Sequence, residues 1–295
     1  KSDALIRPDS FNRKELKFDI RKAERVEDAK AIFTGILNGL PDKFGMPKQE
    51  FYSPAGKNTA SGIVFVPFVN GKSHGVVSSL DSVRSATRAN VKNYSGRAPR
   101  GQESGWEKTK RDNVRQFKGN QAPVLVSTKA FGMGIDKPNI RYTIHYGMPG
   151  SLEGFYQEAG RAGRDRRDAH CIVVFTEFDS DRTDYLLDPS LSSFEIRERN
   201  EERGKDRSQD DDITRALYFH LNSFRGQSEE LEQVDEVLSN FTDLSRADTL
   251  ELPFVVKKND ANDQEKALFR LVKIGVFEDY EKMYGSRKFK IYIKP

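Results

Sequence analysis

The chain has 295 residues, 36% hydrophobic and 32% charged, with a formal net charge of +4. That length accommodates two domains, and no apolar run approaches the ~18 residues of a membrane-spanning helix, so no membrane partner is expected. One cysteine, Cys171, excludes an internal disulfide and a multi-cysteine zinc site, and the small basic excess is compatible with an anionic partner.

The chain opens on Lys1 rather than Met, and the expectation is a piece of a longer protein. The reducing composition and the lack of a targeting signal put that expectation inside the cell, in cytoplasm or nucleoid. Behind a lead-in SFNRKELKFDIRK, Leu16, Phe18 and Ile20 alternate as a strand does. VEDAKAIFTGILNGL has apolar residues at helical spacing and is expected to stop at Gly39 and Pro41. Residues 41–61 read as a loop. GIVFVPFV is apolar throughout, the mark of a buried parallel strand, and Gly71-Lys72-Ser73 follows it.

A phosphate-binding P-loop needs Gly-x-x-x-x-Gly-Lys-Ser/Thr. The fifth residue before Gly71 is Val66, so this trio is not an ATP site. The expected helix SHGVVSSLDSVRSATRAN begins at the trio. Its first amides, with Lys72 and Ser73, are candidates for holding a DNA phosphate.

The alternation continues with strand VKNYSG, helix GWEKTKRDNVRQFKGN, strands PVLVST and IRYTIHYG, helix SLEGFYQEAGRAG and strand AHCIVVFT. This order predicts an α/β domain over 1–182, a parallel sheet covered by helices on both faces. Residues 183–212 read as a charged linker or helix. Over 213–295 come two amphipathic helices, then a helical stripe of Ala267, Leu268, Leu271 and Ile274. Two alternating runs follow, joined near Tyr284-Gly285-Ser286 as a hairpin. The expectation is a smaller, mostly helical, winged-helix-like domain without a zinc site. If the hairpin is its wing, Arg287, Lys288 and Lys290 meet DNA phosphates and Tyr284 wedges a fork. A plain hairpin with solvated lysines is the competing reading.

Residues 127–165 are the densest in chemistry. Ser127 and Thr128, followed by Lys129, stand at the C-terminal end of a strand, where parallel sheets place ligands. Gly132 and Gly134 permit close backbone approach. Gln157, Arg161 and Arg164 are spaced by four and three residues on one expected helical segment and so project to one side. Two forked guanidinium groups aimed together suit a polyphosphate. Met133, Ile135, Phe155 and Cys171 read as packing residues, and His145 as a structural histidine within its strand.

AFGMGIDKPNIRYTIHYGMP is similar to motif V, and YQEAGRAGRD to motif VI, of the RecQ family of superfamily 2 ATP-dependent DNA helicases. More weakly, GIVFVPF falls at the motif IV place and Tyr94-Ser95-Gly96 resembles that family's Tyr-His-Ala-Gly motif. The resemblance covers about residues 5–182. It implies a second RecA-like domain, with ATP and Mg2+ bound mainly by an N-terminal RecA-like domain whose P-loop and acidic box have no counterpart here. Arg161 and Arg164 would complete that ATP site, one as an arginine finger, with Gln157 sensing nucleotide and Gly134 and Asp136 contributing from motif V. Tyr94, Gly96, Ser127, Thr128 and Lys129 would lie along single-stranded DNA. The implied activity is 3′ to 5′ unwinding of a duplex fork by the full-length protein, the chain alone being inactive. The family's four-cysteine zinc module cannot be built from one cysteine. A non-catalytic nucleic-acid-binding module, and an RNA helicase or remodelling translocase of the same superfamily, remain as alternatives. The oligomeric state is open.

Overall fold

The structure, a computed structural model, describes residues 13–131, 136–202, 210–223, 226–241, 248–254 and 260–293. The chain separates into two compact units, Lys1–Ser190 with Arg199–Tyr218, and Leu191–Glu198 with Phe219–Pro295.

The first unit is built on strands β1 (Leu16–Ala23), β2 (Ser61–Phe65), β3 (Val91–Tyr94), β4 (Val124–Ser127), β5 (Ile140–Tyr146) and β6 (Ala169–Thr176). They lie in the order β1-β6-β5-β2-β4-β3, and every pairing is parallel. Central strands covered on both faces are buried on both, and β2, β4 and β5 are buried at every position, with Arg141, Thr143 and His145 alternating along β5. At Gly62 an added Cβ would stand 1.9 Å from the Tyr142 ring, so only glycine lets that ring lie across β2. Helices α1 (Val26–Lys43), α2 (Lys48–Phe51) and α3 (Val76–Thr87) cover one face, burying Phe33, Leu37, Phe51 and Val83 against Ile144 and Val174. On the other face lie α4 (Trp106–Lys118) and α5 (Leu152–Ala159), whose Phe117 and Ala159 pack with Leu125, Phe131 and Cys171.

Several boundaries differ from the sequence reading. Helix α1 runs through Pro41 to Lys43. Proline has no N–H to give the carbonyl four residues back, and that carbonyl, on Leu37, instead accepts the Tyr52 hydroxyl. Tyr52 follows α2, which lies inside the stretch expected to be loop. Strand β2 ends at Phe65, and α3 starts three residues after Ser73.

Past β6 the chain forms α6 (Ser180–Leu186), α7 (Ser193–Glu201) and α8 (Asp212–Ser223). The second unit holds α9 (Gln227–Leu238), α10 (Asp260–Lys273) and strands β7 (Thr249–Pro253), β8 (Asp279–Met283) and β9 (Lys288–Tyr292). The strands form an antiparallel sheet in the order β7-β9-β8. Val237, Leu252, Leu268, Leu271, Phe277, Phe289 and Ile291 form its core. The β8–β9 hairpin was expected and β7 was not. Ile274, placed in the helical stripe, is 71% exposed. Helix α10 ends at Lys273, the chain turns at Gly275 (φ 81), and Phe277 takes the buried place.

Candidate nucleotide and nucleic-acid site

In a wholly parallel sheet all strands start at one edge and end at the other. The site residues divide between these edges. At the edge where β1, β5 and β6 begin lies the segment holding Gln157, Arg161 and Arg164. Ser151 caps α5 by accepting from the Gly154 N–H at 3.0 Å. The helix expected to reach residue 163 stops at Ala159, and the chain goes on in three-residue turns. Arg161 N–H bonds Glu158 O at 3.3 Å and Ala162 N–H bonds Ala159 O at 3.0 Å. Gly163, at φ +62, then donates to Ile140 O at 2.9 Å and ties the turn to the start of β5.

The three residues therefore do not share one exposed helical side. Gln157 is exposed on α5, Arg161 is buried at 7% exposure, and Arg164 is partly exposed. Arg164 Nη1 pairs with Asp136 Oδ1 at 3.0 Å, which brings the segments before β5 and after α5 together. Gly134 lies outside the described residues, as do Met133 and Ile135. Burial first, and then the neighbouring Arg164 charge, lower the pKa of Arg161, with Glu158 opposing. Both effects disfavour the charged guanidinium, and an anion placed beside it offsets both.

Residues far away in sequence support this turn. Arg13 donates to the carbonyls of Gly160, Ala162 and Gly163 and pairs with Glu15. Arg141 pairs with Asp165 and donates to Pro138 O at 2.9 Å. Burial raises the pKa of Asp165, but the Arg141 hydrogen bond and backbone amides outweigh it and hold the carboxyl below its ordinary range. Lys137 is buried with its ammonium on Asn120, and burial pushes its pKa down to about 8. The sequence reading named neither Arg13 nor Glu15 nor Arg141 as a support of the turn, and Lys137 lies apart from it on Asn120.

The opposite edge carries the DNA candidates. Phe65 and Tyr94 both register with Ser127, so the loops after β2, β3 and β4 leave side by side. Lys72, Gly96 and Lys129 are exposed there, and Ser73 and Tyr94 partly so. The Tyr94 ring packs edge-on to Phe131 at 5.1 Å. Ser127 is fully buried and its hydroxyl donates to Thr128 O at 2.7 Å. Thr128 is buried as well. The glycine-lysine-serine trio precedes α3 rather than starting it. Ser78 Oγ accepts the Gly75 N–H at 3.3 Å, and Val76 N–H bonds Phe68 O at 3.1 Å. These amides are used within the protein. Ser73 Oγ lies 3.0 Å from His74 Nδ1, and the buried His74 ring packs on Tyr146 at 4.4 Å.

His145 keeps its structural role, stacked on Phe65 at 4.9 Å with Phe155 edge-on at 5.0 Å. It also has an acidic partner that sequence proximity did not reveal, Glu158 Oε2 at 2.8 Å. In the second unit, Tyr284 is 76% exposed at the hairpin turn and Arg287 is exposed beside it. Lys288 is ion-paired with Glu251 at 2.6 Å, and the Lys290 ammonium lies over the Tyr292 ring at 5.1 Å.

Residues 49–166 match the family described as the helicase conserved C-terminal domain. The chain is similar to the RecQ-like DNA helicase BLM of Xenopus laevis, at 39% identity over 115 residues, covering 38% of this chain and 8% of that protein. The ATP-dependent DNA helicase RecQ of Bacillus subtilis (strain 168) is 41% identical over 81 residues, covering 28% and 14%. The ATP-dependent DNA helicase Q1 of Mus musculus is 53% identical over 60 residues, covering 20% and 9%. The matched stretch thus spans 14% or less of each of these relatives. A solved structure of domain 2 of the Mss116p DEAD-box helicase bound to an RNA duplex is similar at a TM-score of 0.42 and 14% identity, over 77% of this chain and 75% of that one.

Proposed function

We propose that the first unit is the second RecA-like half of an ATP-dependent DNA motor, a reading supported by the match of residues 49–166 to the helicase conserved C-terminal domain and by the similarity to RecQ-like DNA helicases. The observation that carries this reading is the turn at Arg161 and Arg164. Two guanidinium groups stand together there, one buried and one held by a carboxylate, where an anion relieves their mutual repulsion.

In this reading ATP and Mg2+ are held chiefly by a P-loop domain facing the turn, and the bound nucleotide supplies the transferable γ-phosphoryl group. Arg161 and Arg164 present positive charge where negative charge develops on that group. Asp136 holds Arg164 in the absence of phosphate, and Gln157 meets the nucleotide from α5. Magnesium is assigned to the P-loop domain because the helicase resemblance implies that the nucleotide is held chiefly there.

At the opposite edge Lys72, Gly96 and Lys129 run along single-stranded DNA phosphates, with the Tyr94 ring beside them. The segment from Thr128 to Asn139 leaves β4 at this edge and enters β5 at the arginine edge, so one short stretch of backbone serves both. Arg287 and Tyr284 give the second unit its contact with the duplex fork. Movement is 3′ to 5′.

ATP hydrolysis by the full-length protein, measured with single-stranded DNA and with RNA of equal length, tests this reading. DNA should stimulate turnover much more strongly. Equal stimulation by RNA replaces the DNA motor with an RNA one, and no turnover with either leaves a binding module. The chain by itself should hydrolyse no ATP above background.

A further inference from the structure

We propose that Arg13 and Glu15 are positioning residues for the arginine turn, setting where Arg161 and Arg164 stand without touching nucleotide themselves. This role rests on reading that turn as the ATP-facing one. A single guanidinium makes the connection: Arg13 Nη1 donates to Gly160 O at 3.3 Å, and Nη2 to Ala162 O at 2.9 Å and Gly163 O at 3.0 Å. These carbonyls bracket Arg161 and immediately precede Arg164. Once α5 has ended, carbonyls near its terminus lack helical donors. A rigid planar fork can serve three of them at once, whereas a lysine ammonium is a point donor on a flexible stem.

Glu15 fixes the fork in turn. Its side chain is 8% exposed, and one carboxylate oxygen, Oε1, pairs both with Arg13 and with Arg166 Nη1, the latter at 3.4 Å. A backbone hydrogen bond first, and the Arg13 bond next, lower its pKa and favour the charged carboxylate. The Glu15 carbonyl accepts the Ala169 N–H at 2.9 Å, anchoring the pair to the start of β6. Glu15 also sets the space available to the turn, since a Cβ on Gly163 would come within 3.0 Å of Glu15 Cγ. Residues 13 and 15 thus hold the turn from both ends, Gly160 and Arg166.

Strand β1 does not depend on this clamp. Its ladder with β6 runs in unbroken register from Leu16↔Ala169 to Ala23↔Thr176. None of the carbonyls that Arg13 serves belongs to that ladder. Losing the fork is therefore expected to release the turn while leaving the sheet paired.

The test uses the full-length protein with Arg13→Lys, Glu15→Gln and Arg164→Ala. It reads kcat and KM for ATP, single-stranded DNA affinity and the thermal midpoint. A guanidinium displaced by about an ångström costs on the order of 100-fold in rate. Arg13→Lys, which keeps the charge and loses the fork, should lower kcat by about 10- to 100-fold. KM, DNA affinity and midpoint should stay near the parent's, and Glu15→Gln should show a smaller loss of the same kind. If Arg13→Lys keeps the parent kcat while Arg164→Ala has none, the positioning role falls and the ATP reading stands. If Arg164→Ala hydrolyses ATP at the parent rate, the ATP reading falls and the positioning role with it. A parallel loss of kcat, DNA affinity and midpoint in Arg13→Lys also overturns it, because that pattern marks a folding role.

Discussion

At the edge where β1, β5 and β6 begin, arginines are held by carboxylates and carbonyls: Arg13 by Glu15, Arg141 by Asp165, Arg164 by Asp136. At the opposite edge, where β2, β3 and β4 end, Lys72 and Lys129 are exposed on loops while Ser127 and Thr128 turn inward. The difference matches two kinds of anion. A transferring phosphoryl group develops charge at one place, and donors fixed beforehand stabilise it best. A nucleic-acid backbone repeats, so cations on loops can bind any of its phosphates, and displaced salt ions supply much of the affinity.

The sharpest way to break this contrast is Arg164→Ala in the full-length protein. Hydrolysis should fall by about 10³-fold or more, the scale of an arginine finger, with DNA binding retained. Equal loss of both would erase the division between the edges. Gly163→Ala comes next. It puts a side chain at φ +62, within 3.0 Å of Arg167 O and Glu15 Cγ. Chemical denaturation of the chain should show a loss of about 1–2 kcal/mol, and no loss would mean a slack turn.

The edges should also respond to acid in separate windows. Burial lowers the pKa of His74, with Asp212 opposing and Arg215 adding to the fall. Unfolded, a histidine takes its proton near pH 6.5, and folded His74 does so only at lower pH. Stability is therefore full above that value and declines as pH drops through the window beneath it. Glu15 and Asp165 have lowered carboxyl pKa values, so their contribution is lost only in stronger acid, as pH falls through those values. Between pH 7 and 5, His74→Gln should flatten the decline in denaturation midpoint and Glu15→Gln should leave the slope. His170, also shifted down by burial, accounts for a residual slope.

The smallest effect is expected from Lys129→Ala. It should weaken binding of single-stranded DNA by the chain only a few-fold and reduce the salt slope by about one. A weakening that is equal at every salt concentration would assign Lys129 to shape rather than charge.

Much of the first unit's sheet could be read in advance because β2 and β4 carry short apolar runs, β5 alternates apolar residues with Arg141, Thr143 and His145, and the segments between them have helical spacing. The arginine pair was visible for a similar reason, being close in sequence within a dense motif. Its setting was not. Arg13 lies 147 residues from Gly160, and an arginine among charged neighbours has no periodicity to betray an inward target. The premature extension of α5 came from residue spacing alone, which does not register that Gly163 bonds back to Ile140. Strand β7 was missed because its TLELP run is short, ends in proline and is mostly exposed.

Cys171 has a practical consequence. Its thiol is buried beneath Ala159, and burial pushes its pKa up to about 11. Near pH 7 only about one such thiol in ten thousand is ionised. A maleimide dye therefore has almost nothing to react with in the native chain. One surface cysteine introduced beside Lys129 and another beside Gln157 would become the sole labelled positions, with no need to remove Cys171. Paired fluorophores there would serve as a ruler across the two edges of the sheet, read while nucleotide and DNA are added in turn.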